Sequence, residues 1–425
     1  MVGRPDWLTR QVAAWALYDV ASSTFAGLVP VFFGLFFVTV VAADRPGAQG
    51  HWGMIAALAL LVAGALAPLY GALADRRERL PGLLAAATAL CVAATLAMPL
   101  ADRGKMLLAG ILFVAAQVGY TLAAALYDSL LVRIAPRTHV GRVSGFGWTV
   151  GFTGGIGALL MALWVMRGVP PEAQAARLGL TFAIAGILYA AFAVPALLGL
   201  RRCHPVATAL EAGRGGGAYA AVIGTLRQWQ RHREVFRFLI GYYLLNDVLV
   251  TVLFFIAIIL QARFGLTIEG LLWLVLLYHA IALPATLAFG HAADRWGQRP
   301  AIFVMIGILG TALLLLAFGR NTATPVVVVA LLGLVYGSLQ AVCRSLFALL
   351  VAQEKSGEMF GFNAVAGRLS AALGPLAFGA VSAATQSETV ALVSLLIFLA
   401  AALALFRSLR VPAGSHEFDA LEHLL

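Results

Sequence analysis

Four ionisable residues lie inside long apolar stretches of the sequence, where their side chains could hold a charged solute or a proton. They are Asp19, Asp128, Asp247 and Arg344. An ionised side chain at the centre of a membrane costs about 3 kcal/mol on insertion scales, so such residues usually face a cavity and pair with another group. The forked guanidinium of Arg344 suits a carboxylate, and an aspartate suits a cation or a coupling proton. The four residues therefore predict a substrate-binding or proton-coupling site.

Four polar residues beside or between these charges are further candidates for the same site. They are Asn246, Gln340, Tyr18 and Tyr127. The amides would orient a solute, but hydrogen bonds between helices account for them equally well. The tyrosines could line a cavity, although aromatic packing is the commoner role of such side chains. Both interpretations stay open from the sequence.

Asp128 and Arg344 also allow a structural interpretation. The two residues could form an ion pair that closes the cytoplasmic side when the cavity opens outward. A latch that competes with substrate is one way to couple binding to conformational change. The sequence does not separate the latch from the site.

The composition places most of the chain in lipid. Hydrophobic residues make up 62% of the 425 residues and charged residues 11%, against about 25% charged in soluble domains; the mean hydropathy is +0.93. Membrane topology explains the formal net charge of +10 better than nucleic-acid binding does. The apolar runs predict twelve membrane-spanning helices. They cover residues 11–41, 52–74, 81–101, 105–134, 141–166, 177–200, 235–262, 270–293, 300–319, 324–351, 357–384 and 388–410.

One turn motif occurs twice, about half the chain apart. Gly71 begins the first copy, which contains Asp75 and Arg76, and Gly290 begins the second, with Asp294 and Arg295. Each carboxylate could accept hydrogen bonds from the amides that begin the next helix, and each arginine could bridge helix ends. Such contacts would act as a gate, because they must hold in one conformation and break in the other.

The repeat continues through both halves of the chain and indicates a transporter built from two homologous parts. We predict six-helix halves at residues 1–200 and 235–411. A cytoplasmic linker with an amphipathic helix, 201–234, joins them, and 412–425 form a cytoplasmic tail. Basic residues concentrate in the segments on the side of the N-terminus, which predicts cytoplasmic termini. We expect an integral protein of a bacterial plasma (inner) membrane.

The paired turns resemble the signature loop of the major facilitator superfamily. The stretches Ala14–Asp19, Tyr242–Asp247 and Gly337–Phe347 resemble one branch of it, the "unknown major facilitator" group. That branch includes the yeast autophagy-related vacuolar amino-acid effluxer. The resemblance implies an all-α fold of twelve membrane helices in two pseudo-symmetric halves. It also implies that the first, fourth, seventh and tenth spans, which carry the four charges, line a central cavity.

The resulting prediction is a secondary active transporter for a small polar or zwitterionic, amino-acid-like solute. It would work by alternating access as a proton-coupled monomer in the bilayer, without a cofactor. One alternative is import or export of another organic ion or drug-like solute. Another is a non-transporting receptor or assembly factor on the same scaffold. No spacing typical of an enzyme's nucleophile and base, of a metal site or of a phosphate-binding loop is visible, so none is predicted.

Overall fold

The computed structural model describes residues 5–43, 45–76, 80–201, 218–266 and 268–411, which are almost entirely helical. The predicted tail 412–425 and residues 202–217 of the predicted linker lie outside the described residues. The helices, in chain order, are α1 (Arg10–Ala26), α2 (Val29–Phe36), α3 (Ala48–Arg76), α4 (Leu80–Ala97), α5 (Met106–Ile134), α6 (Val140–Met166), α7 (Pro171–Leu200), α8 (Ala218–Arg227), α9 (Arg233–Phe264), α10 (Ile268–Trp296), α11 (Gln298–Phe318), α12 (Thr324–Leu350), α13 (Ser356–Thr385) and α14 (Glu388–Ser408).

Eleven helices in the described part of the chain are long and apolar enough to cross a membrane. The first predicted run, 11–41, is helical in pieces: α1 ends at Ala26, α2 begins at Val29, and a π-helical turn covers Phe37–Val41. Pro30 lies in the first turn of α2, where a missing N–H costs nothing. Because the same residue would remove a hydrogen bond from a continuous helix, the break falls just before it.

Many large apolar side chains are exposed on the outside of these helices. Trp164, Leu163, Leu376 and Ile397 are among the most exposed. In a water-soluble protein, apolar surface on this scale would be a liability, whereas lipid is its natural solvent. The all-α membrane fold predicted from the sequence is confirmed.

The chain forms two compact units. The first comprises Met1–Ile134, Val150–Ile223 and Gln353–Ala364, and the second Ala135–Thr149, Gly224–Ala352 and Val365–Leu425. Residues 135–149 fall in the predicted N-terminal half but belong to the second unit. Residues 353–364 fall in the predicted C-terminal half but belong to the first unit. The division into homologous halves at 1–200 and 235–411 stays a prediction about the repeat.

Each unit has its own packed interior. In the first, α1 packs on α7, and α5 packs on both α3 and α4; in the second, α12 packs on α10 and α11, and α14 packs on α9 and α11. Phe238 of α9 illustrates the second interior, since its ring stacks on Phe347 at 4.8 Å and meets Phe406 edge-on at 5.8 Å. Such pairs add to the free energy gained by burial and fix the positions of the helices that carry the polar residues.

Candidate functional site: a polar chain and two helix caps

A chain of hydrogen-bonded side chains crosses the second unit from α9 to α12 and α13. The Tyr242 hydroxyl donates to Gln340 Oε1 at 2.7 Å, and Gln340 Nε2 donates to Asn246 Oδ1 at 2.6 Å. Asn246 Nδ2 then donates to Ser370 Oγ at 2.5 Å. The amides thus make the helix-to-helix contacts that were one of their two sequence interpretations; their role toward a solute stays a prediction.

Two members of the polar chain were absent from the sequence prediction. Tyr242 lies four residues before Asn246, so helical spacing puts the two on one face of α9, and this signal was available. Ser370 lies in α13 and gave no such signal, because serines are common in membrane helices and usually bond their own backbone.

Asp247 is buried next to the polar chain, with only 2% of its surface exposed. It packs against Gly374 of α13, where an added Cβ would lie 2.7 Å from Asp247 Oδ1. Within the described part of the chain, its carboxylate makes no hydrogen bond or ion pair. Burying an unpaired charge is costly, so this position suits the binding of a proton or of a cationic group.

Arg344 is also buried, at 7% exposure, and the start of α6 fixes its orientation. Its Nε donates to Ser144 Oγ and its Nη2 to the Ser144 carbonyl, both at 2.9 Å. Its guanidinium carbon lies 5.8 Å from the ring centre of Trp148, within the range of a cation–π contact. Ser144 and Trp148 were not predicted from the sequence.

Helical spacing connects Arg344 to the polar chain. Gln340 and Arg344 are four residues apart on α12, which places their side chains on one face, about 5–6 Å apart at Cβ. Asn246, at the other end of the Gln340 hydrogen bond, directly precedes Asp247. The second unit therefore carries a buried guanidinium one helical turn from the Gln340 amide and a buried carboxylate next in sequence to Asn246, and these two charges are opposite to those of a zwitterionic solute.

In the first unit, Asp19 and Asp128 are half-buried, and close packing surrounds the tyrosines beside them. The Tyr18 hydroxyl hydrogen-bonds with Thr88 at 2.6 Å and with Tyr189 at 3.2 Å. The ring of Tyr127 stacks on Trp15 at 4.7 Å and on Tyr18 at 5.1 Å. These contacts favour the packing interpretation of Tyr18 and Tyr127. The roles of Asp19 and Asp128 stay predictions.

The two acidic turns cap distant helices. Asp75 accepts from the amides of Gly357 at 3.0 Å and Glu358 at 2.9 Å, both in the first turn of α13. Arg133 lies 3.6 Å from the same carboxylate. From the sequence we expected the amides of the next helix in the chain, α4, to be the donors, and this prediction was wrong. A carboxylate that accepts two amides at a helix N-terminus stabilises that helix end.

Asp294 repeats this arrangement in the second unit. It accepts from the amides of Gly141 at 2.6 Å and Arg142 at 2.8 Å, in the first turn of α6.

The arginines predicted as gating residues do not share the capping role of the aspartates. Arg295 is exposed and makes no hydrogen bond or ion pair with a described residue, and the side chain of Arg76 lies outside the description.

Glycines let the capped helices approach closely. An added Cβ at Gly361 would lie 2.6 Å from the Ala67 carbonyl oxygen of α3, and one at Gly290 would lie 2.6 Å from the Gly141 carbonyl oxygen. Both distances are too short for any side chain. The caps therefore depend on glycine as well as on aspartate.

We expect Asp75→Asn and Asp294→Asn each to slow transport more than they weaken solute binding. Asparagine keeps the size, but it loses the charge and one of the two acceptor oxygens; losing a cap costs about 0.5–2 kcal/mol. Counterflow rate and ligand-induced thermal stabilisation measure the two effects separately. Asp102→Asn, at an exposed carboxylate paired with Lys105, is the matched control. Weak binding together with normal exchange would place the caps in the solute site instead.

Solved transporter structures share this fold. The proton:xylose symporter XylE matches with a TM-score of 0.68 and 16% identity, over 98% of this chain and 97% of that one. The E. coli fucose:proton symporter FucP matches with a TM-score of 0.72 and 14% identity, over 95% and 98%. At these identities the likeness establishes the fold alone, that of the major facilitator superfamily.

A relative found by sequence is also a transporter of this superfamily. The MFS-type transporter YxiO of Bacillus subtilis (strain 168) is 24% identical over 400 residues, which is 92% of each chain. The fold and this relative define an integral membrane transporter of the major facilitator superfamily, not an enzyme.

Residues 134–419 match the family described as "Vacuole effluxer Atg22 like", and the chain belongs to this family. Autophagy-related protein 22 of Yarrowia lipolytica is 24% identical over 332 residues. That match covers 69% of this chain but 54% of the fungal protein, so the chain spans about half of that relative's length. The resemblance stated from the sequence is confirmed.

Proposed function

We propose that this transporter moves a small zwitterionic or polar solute, amino-acid-like, by alternating access coupled to protons. The observation that carries the proposal is the pair of buried charges in the second unit. Arg344 lies one turn of α12 from Gln340, Asp247 follows Asn246 in α9, and the Gln340 and Asn246 amides are hydrogen-bonded to each other. An amino acid carries a carboxylate and an ammonium group, and this arrangement offers a partner of opposite charge to each.

The two charges would play different roles. Ser144 holds the Arg344 guanidinium in one orientation, and a fixed fork is the geometry that binds a carboxylate with two parallel hydrogen bonds. Asp247 would bind the ammonium group or the coupling proton. Because either ligand removes an uncompensated buried charge, its binding would favour one conformation over another, which is the requirement for coupling.

Flux measurements with the purified protein in liposomes test this proposal. We expect uptake of a labelled neutral amino acid from a mixed panel, and a dependence of that uptake on an imposed pH gradient. Uptake of other organic ions alone would support the first alternative solute class. Absence of flux for every panel member, with ligand binding retained, would support the receptor alternative instead.

We also propose a bacterial plasma membrane location with both termini in the cytoplasm, supported by the distribution of basic residues. Single cysteines at Gly213→Cys and Ser415→Cys should react with a membrane-impermeant maleimide only in inside-out vesicles. Asp102→Cys, in a loop predicted outside, should react only in right-side-out vesicles. Cys203→Ser provides the background, since Cys91 and Cys343 are buried. Labelling of Gly213→Cys from outside would reverse the orientation.

A further inference from the structure

An open cavity of ≈510 Å³ lies in the second unit, where α9 and α11 begin and α14 ends. Its lining is dominated by arginines. They are Arg233, Arg237, Arg299, Arg407 and Arg410. The cavity is separate from the polar chain described above, and the transport proposal does not use it.

Two of these arginines have a structural role. Arg299 donates from Nε to the Phe406 carbonyl at 3.1 Å and from Nη2 to the Arg407 carbonyl at 2.8 Å. Arg237 reaches the Ser408 carbonyl at 3.3 Å. The last carbonyls of a helix lack partners within it, and cations are favoured near them. Arg299 and Arg237 therefore cap the end of α14.

The capping role leaves an excess of positive charge. Glu234 is the carboxylate at this place, 3.0 Å from Arg237 and 3.2 Å from Arg233. Its other oxygen accepts from the backbone amide of Arg410 at 2.9 Å. The side chains of Arg407 and Arg410 are exposed and make no hydrogen bond or ion pair with any residue that the structure describes. Among the described residues at this cavity, five guanidinium groups thus accompany one carboxylate, and an anion would relieve their mutual repulsion.

The surroundings of the cavity identify the kind of anion. Trp296, 52% exposed, ends α10 two residues before α11 begins, and exposed tryptophans mark the membrane–water interface. Ile240, 53% exposed, lies three residues after Arg237 and therefore on the same face of α9. Val304 of α11 is a further exposed apolar side chain, at 47%. The charges thus lie at headgroup depth beside a surface that suits an acyl chain.

We propose that this cavity binds the phosphate of an anionic phospholipid. Basic pockets between membrane helices recognise such headgroups, and the guanidinium fork matches a phosphate's paired oxygens. The phosphate contacts Arg407 and Arg410, while an acyl chain lies against Ile240. Bound lipid ties α9, α11 and α14 together and stabilises the second unit.

Native mass spectrometry and thermal unfolding of the full-length protein in detergent test the site. The probes are dioleoyl phosphatidylglycerol, dioleoyl phosphatidylcholine, glycerol phosphate and inorganic phosphate. We expect phosphatidylglycerol to bind at least about tenfold more tightly than phosphatidylcholine, since the extra interaction is worth about 1 kcal/mol per arginine. The double variant Arg407→Gln/Arg410→Gln should lose about 10- to 30-fold in phosphatidylglycerol affinity on the same scale.

Arg227→Gln/Arg231→Gln is the matched control, because it removes two exposed charges outside the cavity. It should stay within about twofold of the unmodified protein. Unfolding temperatures without lipid verify that both double variants fold. Equal binding of the two lipids, or an equal loss in the control, would overturn the proposal. Glycerol phosphate or inorganic phosphate binding as tightly as phosphatidylglycerol would also overturn it, and would identify a site for soluble phosphate.

Discussion

Replacing Asp247 by asparagine should abolish accumulation of solute against its gradient while leaving solute exchange intact. Asparagine preserves the packing against Gly374 but cannot carry a proton across the membrane. One charge moving through 100 mV is worth about 2.3 kcal/mol, or about 50-fold in concentration ratio. We therefore expect the ratio of inside to outside solute concentration to fall from about 50 to about one. Gradient-driven uptake and counterflow in liposomes measure the two activities.

Two further variants make the Asp247 result specific. Glu388→Gln removes a carboxylate that pairs with Arg263 at 3.5 Å, outside the polar chain, and it should leave accumulation unchanged. Asp247→Glu keeps a carboxylate, but its longer side chain has little space next to Gly374. This variant should therefore retain part of the solute accumulation. If accumulation survives Asp247→Asn, another group carries the proton. Loss of counterflow as well would make Asp247 a solute ligand.

The second large effect concerns Arg344→Lys. Lysine keeps the charge but loses the fork and the paired hydrogen bonds to Ser144. If Arg344 binds a substrate carboxylate, affinity should fall by about 1.5–3 kcal/mol, roughly 10- to 150-fold. Ligand-induced thermal stabilisation gives the affinity, and the unfolding temperature without ligand reports the cost to the fold.

The contacts of Arg344 suggest a competing explanation that the same experiment separates. Arg344 could serve only to hold the start of α6 through Ser144 and Trp148. Arg344→Lys would then lower the unfolding temperature and leave affinity unchanged. Ser144→Ala is the matched variant, since it removes the hydroxyl but keeps the carbonyl acceptor. It should cost stability in either case and affinity only slightly.

The charges inside apolar runs were predictable, but most of their partners were not. Asp247 and Arg344 stand out in the sequence because ionised groups are rare in membrane helices. Ser144 and Ser370 have no such signal, and only the packing of α6 and α13 brings them to their partners. Tyr18 was left open between cavity lining and packing, and its hydroxyl bonds within the core to Thr88 and Tyr189; a contact with the solute stays a prediction.

The hydrogen-bond donors of the two acidic turns were also not predictable from the sequence. The repeat at Asp75 and Asp294 is visible in the sequence, as is the chemistry of a capping carboxylate. The donors are invisible, because they lie 282 and 153 residues away in the chain. Local structure was easier: Gly27 and Pro30 could have predicted the break between α1 and α2.

The distance between Asp75 and its donors constrains how the protein can be made. A ribosome adds about 5–20 residues per second, so the 282 residues that separate Asp75 from Gly357 take roughly 14–56 s to synthesise at that rate. During this interval Asp75, at the end of α3, has been synthesised but the helix that its carboxylate caps, α13, has not. Water or the insertion machinery must solvate the carboxylate until α13 emerges. Biogenesis of the first unit thus finishes only when most of the second has been translated.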